Sequence, residues 1–448
     1  MRTKPPAKRR RSRVQPAITR VSVRGYKSIE DQCSVELRPL TILAGANSSG
    51  KSSLMQTLLL LKQTLEASYD PGALLLHGPN VRFTSADQLL SRKSARARVD
   101  RFTVGIETGG ERDLTLSFGR RPKKGFEVLE MIYQDPPETT HLRPAMTHNE
   151  IVAQIKDLDA YRTSLANAEK ATLEWTVLRT RCFLALALQP EGETSQLRFS
   201  PMFSRGEEFA SEIRKIIHVP GLRGNPERTY QTTAVGTVFQ GTFENYVASI
   251  VSHWQSTSDG RVEELGRALQ TLGLTWKVDA KQVDDTQVEL RVGRLAHAAR
   301  GGAQDLVNIA DVGFGVSQTL PVIVALLAAE PGQLVYLEQP EIHLHPRAQV
   351  ALAQVLADAA RRGVRVVAET HSASLLLGVQ TLVAEGGLDP ALVKLHWFTR
   401  REDGVTQVSS ADLDEAGAFG DWPEDFGQVV LQAEDRYLDA AESRRRVG

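Results

Sequence analysis

Strand-like patterns dominate the first 135 residues of this chain. Short apolar runs over 18–23, 34–37 and 40–44 predict β-strands. Residues 101–107 and 113–118 alternate apolar and polar side chains, which is typical of antiparallel strands with one buried face. This part is therefore predicted to contain an antiparallel β subdomain.

Buried strands alternate with helices in the last third of the chain. Apolar runs over 333–337 and 364–368 predict strands, while 321–328 and 347–360 have the spacing of helices. This alternation predicts a parallel sheet that is covered by helices on both faces. Beyond residue 395 the pattern predicts a small strand-and-turn segment and a charged terminal helix.

The middle of the chain has a different, mostly helical character. Residues 149–175 carry an imperfect apolar stripe, and 205–217 and 243–254 are amphipathic helix candidates. Between the last two lies 219–228, which is rich in turn residues and arginine. We predict that 136–300 is an insertion between two halves of one core.

The patterns together predict five segments. In chain order they are a basic tail over 1–15, the first half of the core over 16–135, a helical or mixed insertion over 136–300 that acts as a lid or binds a partner, the second half of the core over 301–410, and a small C-terminal segment over 411–448.

The composition is that of an ordinary globular protein. Basic and acidic residues balance at 54 each, so the overall charge gives no argument for a nucleic-acid or membrane partner. No apolar run reaches the roughly 18 residues that a membrane helix needs. The two cysteines are far apart and lack metal-binding spacing, which suits a reducing compartment. We therefore expect a cytoplasmic protein.

The first 15 residues hold seven lysines and arginines. Such a block is typical of a solvated tail. It leaves open a contact with DNA or with an acidic partner. No apolar segment follows it, so we do not expect a signal peptide.

A phosphate-binding loop follows the third predicted strand. The strand ends in a glycine-bounded loop, and an apolar helix pattern follows at once. The glycines let successive N–H groups point at phosphate oxygens, and the helix adds its positive end. Lys51 would reach the β- and γ-phosphates, and the Ser52 hydroxyl would bind Mg²⁺. The predicted ATP-binding residues are Gly45, Ala46, Asn47, Ser48, Ser49, Gly50, Lys51, Ser52 and Ser53.

An acidic residue is needed to complete the magnesium site. Glu338 closes the apolar run of 334–337, so it would lie at the carboxyl edge of the sheet beside Ser52. Alternatively, Glu341, His343 and His345 could bind zinc, but no further ligand cluster is evident in the sequence.

Two further stretches have the character of phosphate-contacting sites. Gly315, Ser317 and Gln318 lie at the start of a predicted helix, which makes a second helix-start anion site. One subunit already has a phosphate-binding loop, so a second site suggests ATP shared between two subunits. His371 ends the next buried strand, where a histidine that senses the γ-phosphate would belong.

These motifs resemble those of the soluble ABC-type ATPases, which include the structural-maintenance-of-chromosomes and overcoming-lysogenization-defect families. The runs 23–28, 45–53 and 338–346 are most similar to a branch of small AAA-like ATPases, and 415–426 is similar to its C-terminal segment. The resemblance implies an α/β fold, a P-loop NTPase of ABC-type head architecture. In it a mixed sheet is flanked by helices, with an antiparallel β subdomain and a mostly helical insertion.

The resemblance also implies roles for residues. Ser52 and Glu338 would hold Mg²⁺, and Ser317 with the backbone near Gly315 would cap the γ-phosphate of a partner's ATP. His371 would be the switch histidine. Members form ATP-sandwiched homodimers, and several act in bacterial defence against phage beside a separately encoded nuclease. Assembly beyond the dimer stays open.

One position departs from the pattern. Gln339 stands where a glutamate usually orients the attacking water, and glutamine cannot accept a proton. Hydrolysis is therefore slow, or Glu341 or His371 compensates, or Gln339 is an engineered replacement that traps ATP.

Three other functions compete with that of a defence ATPase. A DNA-repair or DNA-end-processing ATPase is the main alternative. An ABC transporter subunit is disfavoured by the split core and by the altered signature sequence. A built-in nuclease is disfavoured because the acidic residues after His371 lie in turn-rich sequence without a strand–helix frame.

Overall fold

The computed structural model describes residues 17–92, 99–109, 111–155, 158, 162–163, 172–190, 204–295, 305–420 and 435–439. The basic tail of 1–15 lies outside these residues, and so does most of the C-terminal segment of 411–448. Within the described part, no helix is long and apolar enough to span a bilayer.

The elements fall into several sheets with helices packed against them. The strands are β1 Ile18–Arg24, β2 Cys33–Glu36, β3 Leu40–Gly45, β4 Arg101–Thr108, β5 Arg112–Arg121, β6 Gly125–Asp135, β7 Glu138–Leu142, β8 Leu173–Thr180, β9 Phe183–Pro190, β10 Ile217–Val219, β11 Tyr230–Gln231, β12 Val278–Gln282, β13 Gln287–Gly293, β14 Leu306–Asn308, β15 Leu334–Glu338, β16 Arg365–Thr370, β17 Val393–Arg400 and β18 Thr406–Ala411. The α-helices are α1 Lys51–Glu66, α2 His148–Val152, α3 Glu207–Arg214, α4 Val247–Ser256, α5 Arg261–Thr271, α6 Phe314–Ala328, α7 Pro346–Arg361 and α8 Ala373–Ala384.

The central sheet has the strand order β10-β15-β16-β3-β17-β18. Its first five strands are parallel, and β18 is antiparallel to β17. The carboxyl ends of β15, β16 and β3 therefore lie side by side at one edge. The predicted parallel sheet is confirmed.

Both faces of the central sheet are covered. Along β3, Leu40, Ile42 and Ala44 pack into a core that includes α4, α6, α7 and α8. The intervening Leu43 packs into a second core, with α1 and the antiparallel sheet. This alternation follows from the two-residue period of a strand, and it places α1 between two sheets.

The antiparallel sheet has the order β2-β1-β4-β5-β6-β7. In its core the Phe102 ring lies 5.3 Å from Tyr26, 5.2 Å from Phe118 and 5.3 Å from Phe126, measured between ring centres. The predicted antiparallel subdomain is thus present, and β6 and β7 extend it beyond the predicted strands.

The middle segment contains more strand than the sequence predicted. Helix α3 lies within the predicted range 205–217, and α4 overlaps 243–254 but ends at Ser256. However, α2 covers only the start of 149–175, and the end of that range lies in the β8–β9 hairpin. In addition, β10 pairs with β15, so 217–219 forms an edge of the central sheet. The segment is therefore built into the core.

Helix α1 is buried around most of its circumference, and a charged residue ties it to the middle segment. Lys62 is fully buried. Its ammonium donates to the carbonyls of Arg214 at 3.0 Å and Phe239 at 2.8 Å, and it pairs with Glu66. Because a buried ammonium needs such partners, this network fixes how the middle segment lies on α1.

Candidate nucleotide-binding site

The loop between β3 and α1 has the shape of a phosphate cradle. Gly45 and Gly50 have φ values of 141° and 106°, and Ser48 has 62°. A Cβ atom at position 45 would lie 2.2 Å from the Phe398 carbonyl oxygen, so only glycine fits there. The loop ends where α1 begins at Lys51. The strand–loop–helix context predicted for this segment is present.

The Lys51 side chain lies folded into this loop. It is only 3% exposed. Its ammonium donates to the carbonyls of Gly45 at 2.9 Å and Ala46 at 2.8 Å. Burial lowers the pKa of Lys51, and the nearby carboxylates of Glu369 and Glu341 oppose this shift. The Lys51 ammonium is thus hydrogen-bonded to two carbonyls, and phosphate oxygens can take their place as acceptors.

Ser52 contacts an acid that the sequence analysis did not select. Its hydroxyl donates to Glu369 Oε1 at 2.8 Å, and the Tyr336 hydroxyl donates to Oε2 of the same carboxylate at 2.8 Å. Burial raises the pKa of Glu369, and these two hydrogen bonds oppose that shift. Glu369 is on β16, which lies between β15 and the loop strand β3. The assignment of Glu338 to the Mg²⁺ site stays a prediction.

Glu338 is held instead by the edge strand β10 and the loop after it. His218 Nε2 hydrogen-bonds Glu338 Oε1 at 3.1 Å, and the Gly221 amide donates to Oε2 at 3.2 Å. Burial would raise the pKa of Glu338, but the His218 hydrogen bond and nearby charges bring it below its usual value. Asn80 Oδ1 lies 3.1 Å from the other ring nitrogen of His218. Glu338 therefore has both oxygens engaged by its own chain.

Gln339 and Glu341 lie just beyond β15. Gln339 has a φ of 44°, a left-handed conformation that is uncommon outside glycine, and its amide donates to the Glu369 carbonyl at 2.8 Å. Glu341 is 7% exposed, and its Oε1 accepts from the Thr370 hydroxyl at 2.6 Å and from the His371 amide at 3.1 Å. Its Oε2 is buried without a hydrogen-bond partner among the described residues. A buried carboxylate oxygen of this kind is suited to hold a water or another donor.

His371 lies against the phosphate loop and lines the same cavity. Burial lowers the pKa of its imidazole, and the nearby Lys51 ammonium lowers it further. A hydrogen bond to the Gly45 carbonyl opposes these effects. The ring is therefore predominantly neutral at neutral pH.

A cavity of about 670 Å³ brings together most of the predicted ATP-binding residues. It is lined by residues 47–53 of the loop, and by Gln339, Glu369 and His371. The cavity is large enough for a nucleotide. The loop, Lys51, Ser52 and Glu369 also have the donor set that Mg²⁺ with a triphosphate requires, because Mg²⁺ is usually held by one or two protein oxygens and the phosphates.

The same cavity is lined by residues that sequence analysis did not assign to the site. Among them are Lys27, Ser28, Gln56 and Arg400. Burial lowers the pKa of Lys27 to about 8, and its ammonium lies 4.6 Å from the centre of the Phe83 ring. The available signal was the run 23–28, which carried part of the family resemblance.

Gly315, Ser317 and Gln318 lie away from this cavity, in the first turns of α6. The Ser317 hydroxyl donates to the Phe314 carbonyl at 3.2 Å. Gln318 is buried, and its amide donates to the Gly224 carbonyl at 3.0 Å. The structure therefore keeps the second helix start separate from the phosphate loop of its own chain.

The zinc alternative receives no support from the geometry. Among the residues that the structure describes, no group of three His, Cys, Asp or Glu side chains is placed to hold a metal ion by itself. Glu341, one of the three proposed zinc ligands, is turned toward Thr370 and His371.

Several solved structures are similar to this chain at low sequence identity. The Smc head bound to the C-winged helix domain of ScpA is 13% identical, with a TM-score of 0.47, and the match covers 90% of this chain and 99% of that one. The SMC head domain from Thermotoga maritima is 11% identical, with a TM-score of 0.39 and coverages of 88% and 98%. An Smc head with an extended coiled coil, bound to the C-terminal domain of ScpA derived from Pyrococcus furiosus, is 12% identical, with a TM-score of 0.43 and coverages of 95% and 100%.

No curated protein matches the sequence. A family model does match residues 40–377, which is well over half of the chain, and its description is "AAA domain, putative AbiEii toxin, Type IV TA system". The matched range begins at the strand before the phosphate loop and ends within α8. The expected relationship to AAA-type ATPases is confirmed, and the chain belongs to this AAA domain family.

Proposed function

We propose that this ATPase is a nucleotide-gated dimeric switch in the bacterial cytoplasm, which acts through a separately encoded nuclease or another effector in defence against phage. The observation that carries the dimer is the separation of two phosphate-type helix starts. The loop before α1 opens into the cavity, whereas Ser317 at the start of α6 lies outside it. A second chain would bring its Ser317 to the ATP of the first.

The defence role rests on the family description, which names an AbiEii toxin of a type IV toxin–antitoxin system. That description favours defence over transport. The effector is expected to be a separate protein, as the family resemblance implies for members that act beside a separately encoded nuclease.

Different residues of the cavity would bind the phosphates and the magnesium ion of ATP. Lys51 and the loop amides would bind the phosphates, exchanging the carbonyl contacts of the Lys51 ammonium for phosphate oxygens. Ser52 and Glu369 would hold Mg²⁺, which neutralises charge on the phosphate oxygens when bound. Glu338 would support this site from the neighbouring strand through water.

The groups available for hydrolysis fit slow turnover. Gln339 can orient a water molecule but cannot take its proton. Glu341 has an unpartnered buried oxygen and is the nearest alternative base on this strand end. Neutral His371 can hydrogen-bond the γ-phosphate region while it remains anchored beside Gly45.

Light scattering with and without Mg-ATP tests the proposal. We expect the parent protein to change from monomer to dimer on addition of Mg-ATP. Ser317→Arg should stay monomeric because the bulky charged side chain blocks the partner's phosphate, and Lys51→Ala should stay monomeric because it does not bind ATP. Ser256→Arg is the matched control, since this serine is exposed at the end of α4. A parent that ignores nucleotide, or a Ser317→Arg variant that still dimerises, would contradict the proposal.

A further inference from the structure

Residues 217–224 of the middle segment contact the end of β15. As described above, His218 and Gly221 hold the Glu338 carboxylate. Arg223 adds a third contact, to the backbone at the end of β15. This 217–224 segment therefore surrounds the strand end that carries Glu338 and Gln339.

Arg223 joins two elements that would serve different ATP molecules in a dimer. Its Nη2 donates to the carbonyls of Glu338 at 2.9 Å and Gln339 at 3.2 Å. Its Nη1 donates to the carbonyl of Gln318 at 2.9 Å. The Gln318 side chain returns a hydrogen bond to Gly224. One guanidinium thus connects the first turns of α6 to the strand end beside the cavity.

Arg223 is a buried cation whose partners are backbone carbonyls. Arg223 is 8% exposed, and burial lowers its pKa to about 10. Its Nε has no hydrogen-bond partner among the described residues. Removing this guanidinium alone would leave three backbone carbonyls without their donor, which destabilises a fold. The planar group reaches all three carbonyls at once, which an apolar side chain cannot do.

The Gln339 peptide is a part of the site whose backbone conformation needs such support. Its left-handed φ of 44° is unfavourable for a residue with a Cβ atom. Its N–H is fixed by the Glu369 carbonyl, and its C=O is fixed by Arg223. A displacement of α6 would pull on Arg223 and so change where the Gln339 side chain lies.

We propose that Arg223 is a positioning residue that couples the two ATP sites of the dimer, by tying the α6 start that contacts the partner's nucleotide to the Gln339 strand end of its own subunit. This inference rests on the proposed dimer. Docking of α6 against the partner's ATP places Gln339 for hydrolysis, so each subunit is activated when the other subunit is occupied.

Phosphate release as a function of ATP concentration tests this coupling in the full-length protein. The parent should show a Hill coefficient above 1, since occupancy of one site promotes the other. In Arg223→Met the coefficient should fall to 1, and turnover should fall about 10- to 100-fold, the size expected for a displacement near 1 Å. Affinity for a fluorescent ATP analogue should be unchanged, because the Arg223 guanidinium donates to carbonyls outside the phosphate loop.

Two further variants separate coupling from folding. Arg228→Met is the matched control, because this arginine lies in the same loop and pairs with Asp311 at 2.8 Å but is 71% exposed. An exposed pair contributes little, so turnover and the Hill coefficient should stay parental. Arg223→Lys keeps the charge and reaches fewer carbonyls. It should show a reduced Hill coefficient, and it provides the same readout if Arg223→Met does not fold.

The possible results discriminate between the two proposals. If the parent forms the Mg-ATP dimer and is cooperative, and Arg223→Met is equally cooperative, the coupling role is overturned and the dimer stands. The same holds if turnover falls while the Hill coefficient stays parental, or if the parental dimer shows no cooperativity. A parent that never dimerises with Mg-ATP overturns the proposed function and the coupling together.

Discussion

Two carboxylates end neighbouring strands beside the phosphate loop, and Glu369→Gln and Glu338→Gln should affect magnesium very differently. The amide replacement nearly preserves side-chain shape but removes the negative charge. Glu369 contacts Ser52 directly, whereas both Glu338 oxygens are engaged by His218 and Gly221. We therefore expect Glu369 to bind Mg²⁺ directly and Glu338 to support the site without contacting the ion.

The size of each effect follows from these positions. Loss of a group that only supports a metal ligand typically costs about 10- to 100-fold in metal affinity or activity. Glu338→Gln should reduce magnesium affinity by about 10-fold, the lower end of this range, because its hydrogen-bond partners remain in place. Glu369→Gln should lose at least about 100-fold in magnesium affinity, which corresponds to about 2.7 kcal/mol.

Binding of a fluorescent ATP analogue, titrated with Mg²⁺, measures both variants. Affinity without Mg²⁺ should stay close to that of the parent, since Lys51 and the loop amides are intact. Glu330→Gln is the matched control, because this acid is exposed in the turn before β15. Parental magnesium dependence in Glu369→Gln, together with its loss in Glu338→Gln, would refute the assignment of Glu369.

Two other predictions concern chemistry and pH. Gln339→Glu should speed phosphate release and shorten the lifetime of the dimer, by restoring a proton acceptor worth about two to four orders of magnitude. If Glu341 is already the base, Gln339→Glu should change little and Glu341→Gln should stop turnover, while brisk hydrolysis in both variants would contradict the assignment of this strand end. Burial lowers the pKa of His396 to about 4, below the about 6.5 of an unfolded chain, so the unfolded state takes up the proton first as the pH falls. The contribution of neutral His396 to the free energy of unfolding is full above about pH 6.5 and declines by up to about 3 kcal/mol toward about pH 4. Thermal denaturation at several pH values should therefore show a smaller loss of stability in His396→Asn than in the parent. An equal loss in both proteins would refute this origin.

The sequence was sufficient to predict the phosphate loop and those helices and strands whose apolar residues recur with a clear period. The strands around the loop and helix α7 lie close to their predicted ranges, and α1 follows the loop as predicted. The predicted helix over 149–175 failed at its end, where Leu173 and Trp175 are buried on β8. The three residues of β10 are too few to show any periodicity.

The sequence could not show which acid hydrogen-bonds Ser52, for a topological reason. Glu338 and Glu369 both end apolar runs, and local pattern treats them alike. Which acid meets Ser52 depends on strand order, and only the pairing of β16 between β15 and β3 decides it. The contacts of Arg223 were likewise invisible, because they join segments that are about 100 residues apart in sequence.

The position of β3 also has a consequence for biosynthesis. Leu40 pairs with Val366 on one side and with Val393 on the other, so both edges of this strand are completed by the far end of the chain. At about 5–20 residues per second, the ribosome needs roughly 15 to 65 s to supply the first of these partners. Until then an apolar strand with two open edges is exposed to aggregation. A nascent chain of this protein is therefore expected to need chaperone protection, and a truncated one lacking the last third cannot form the ATP site at all.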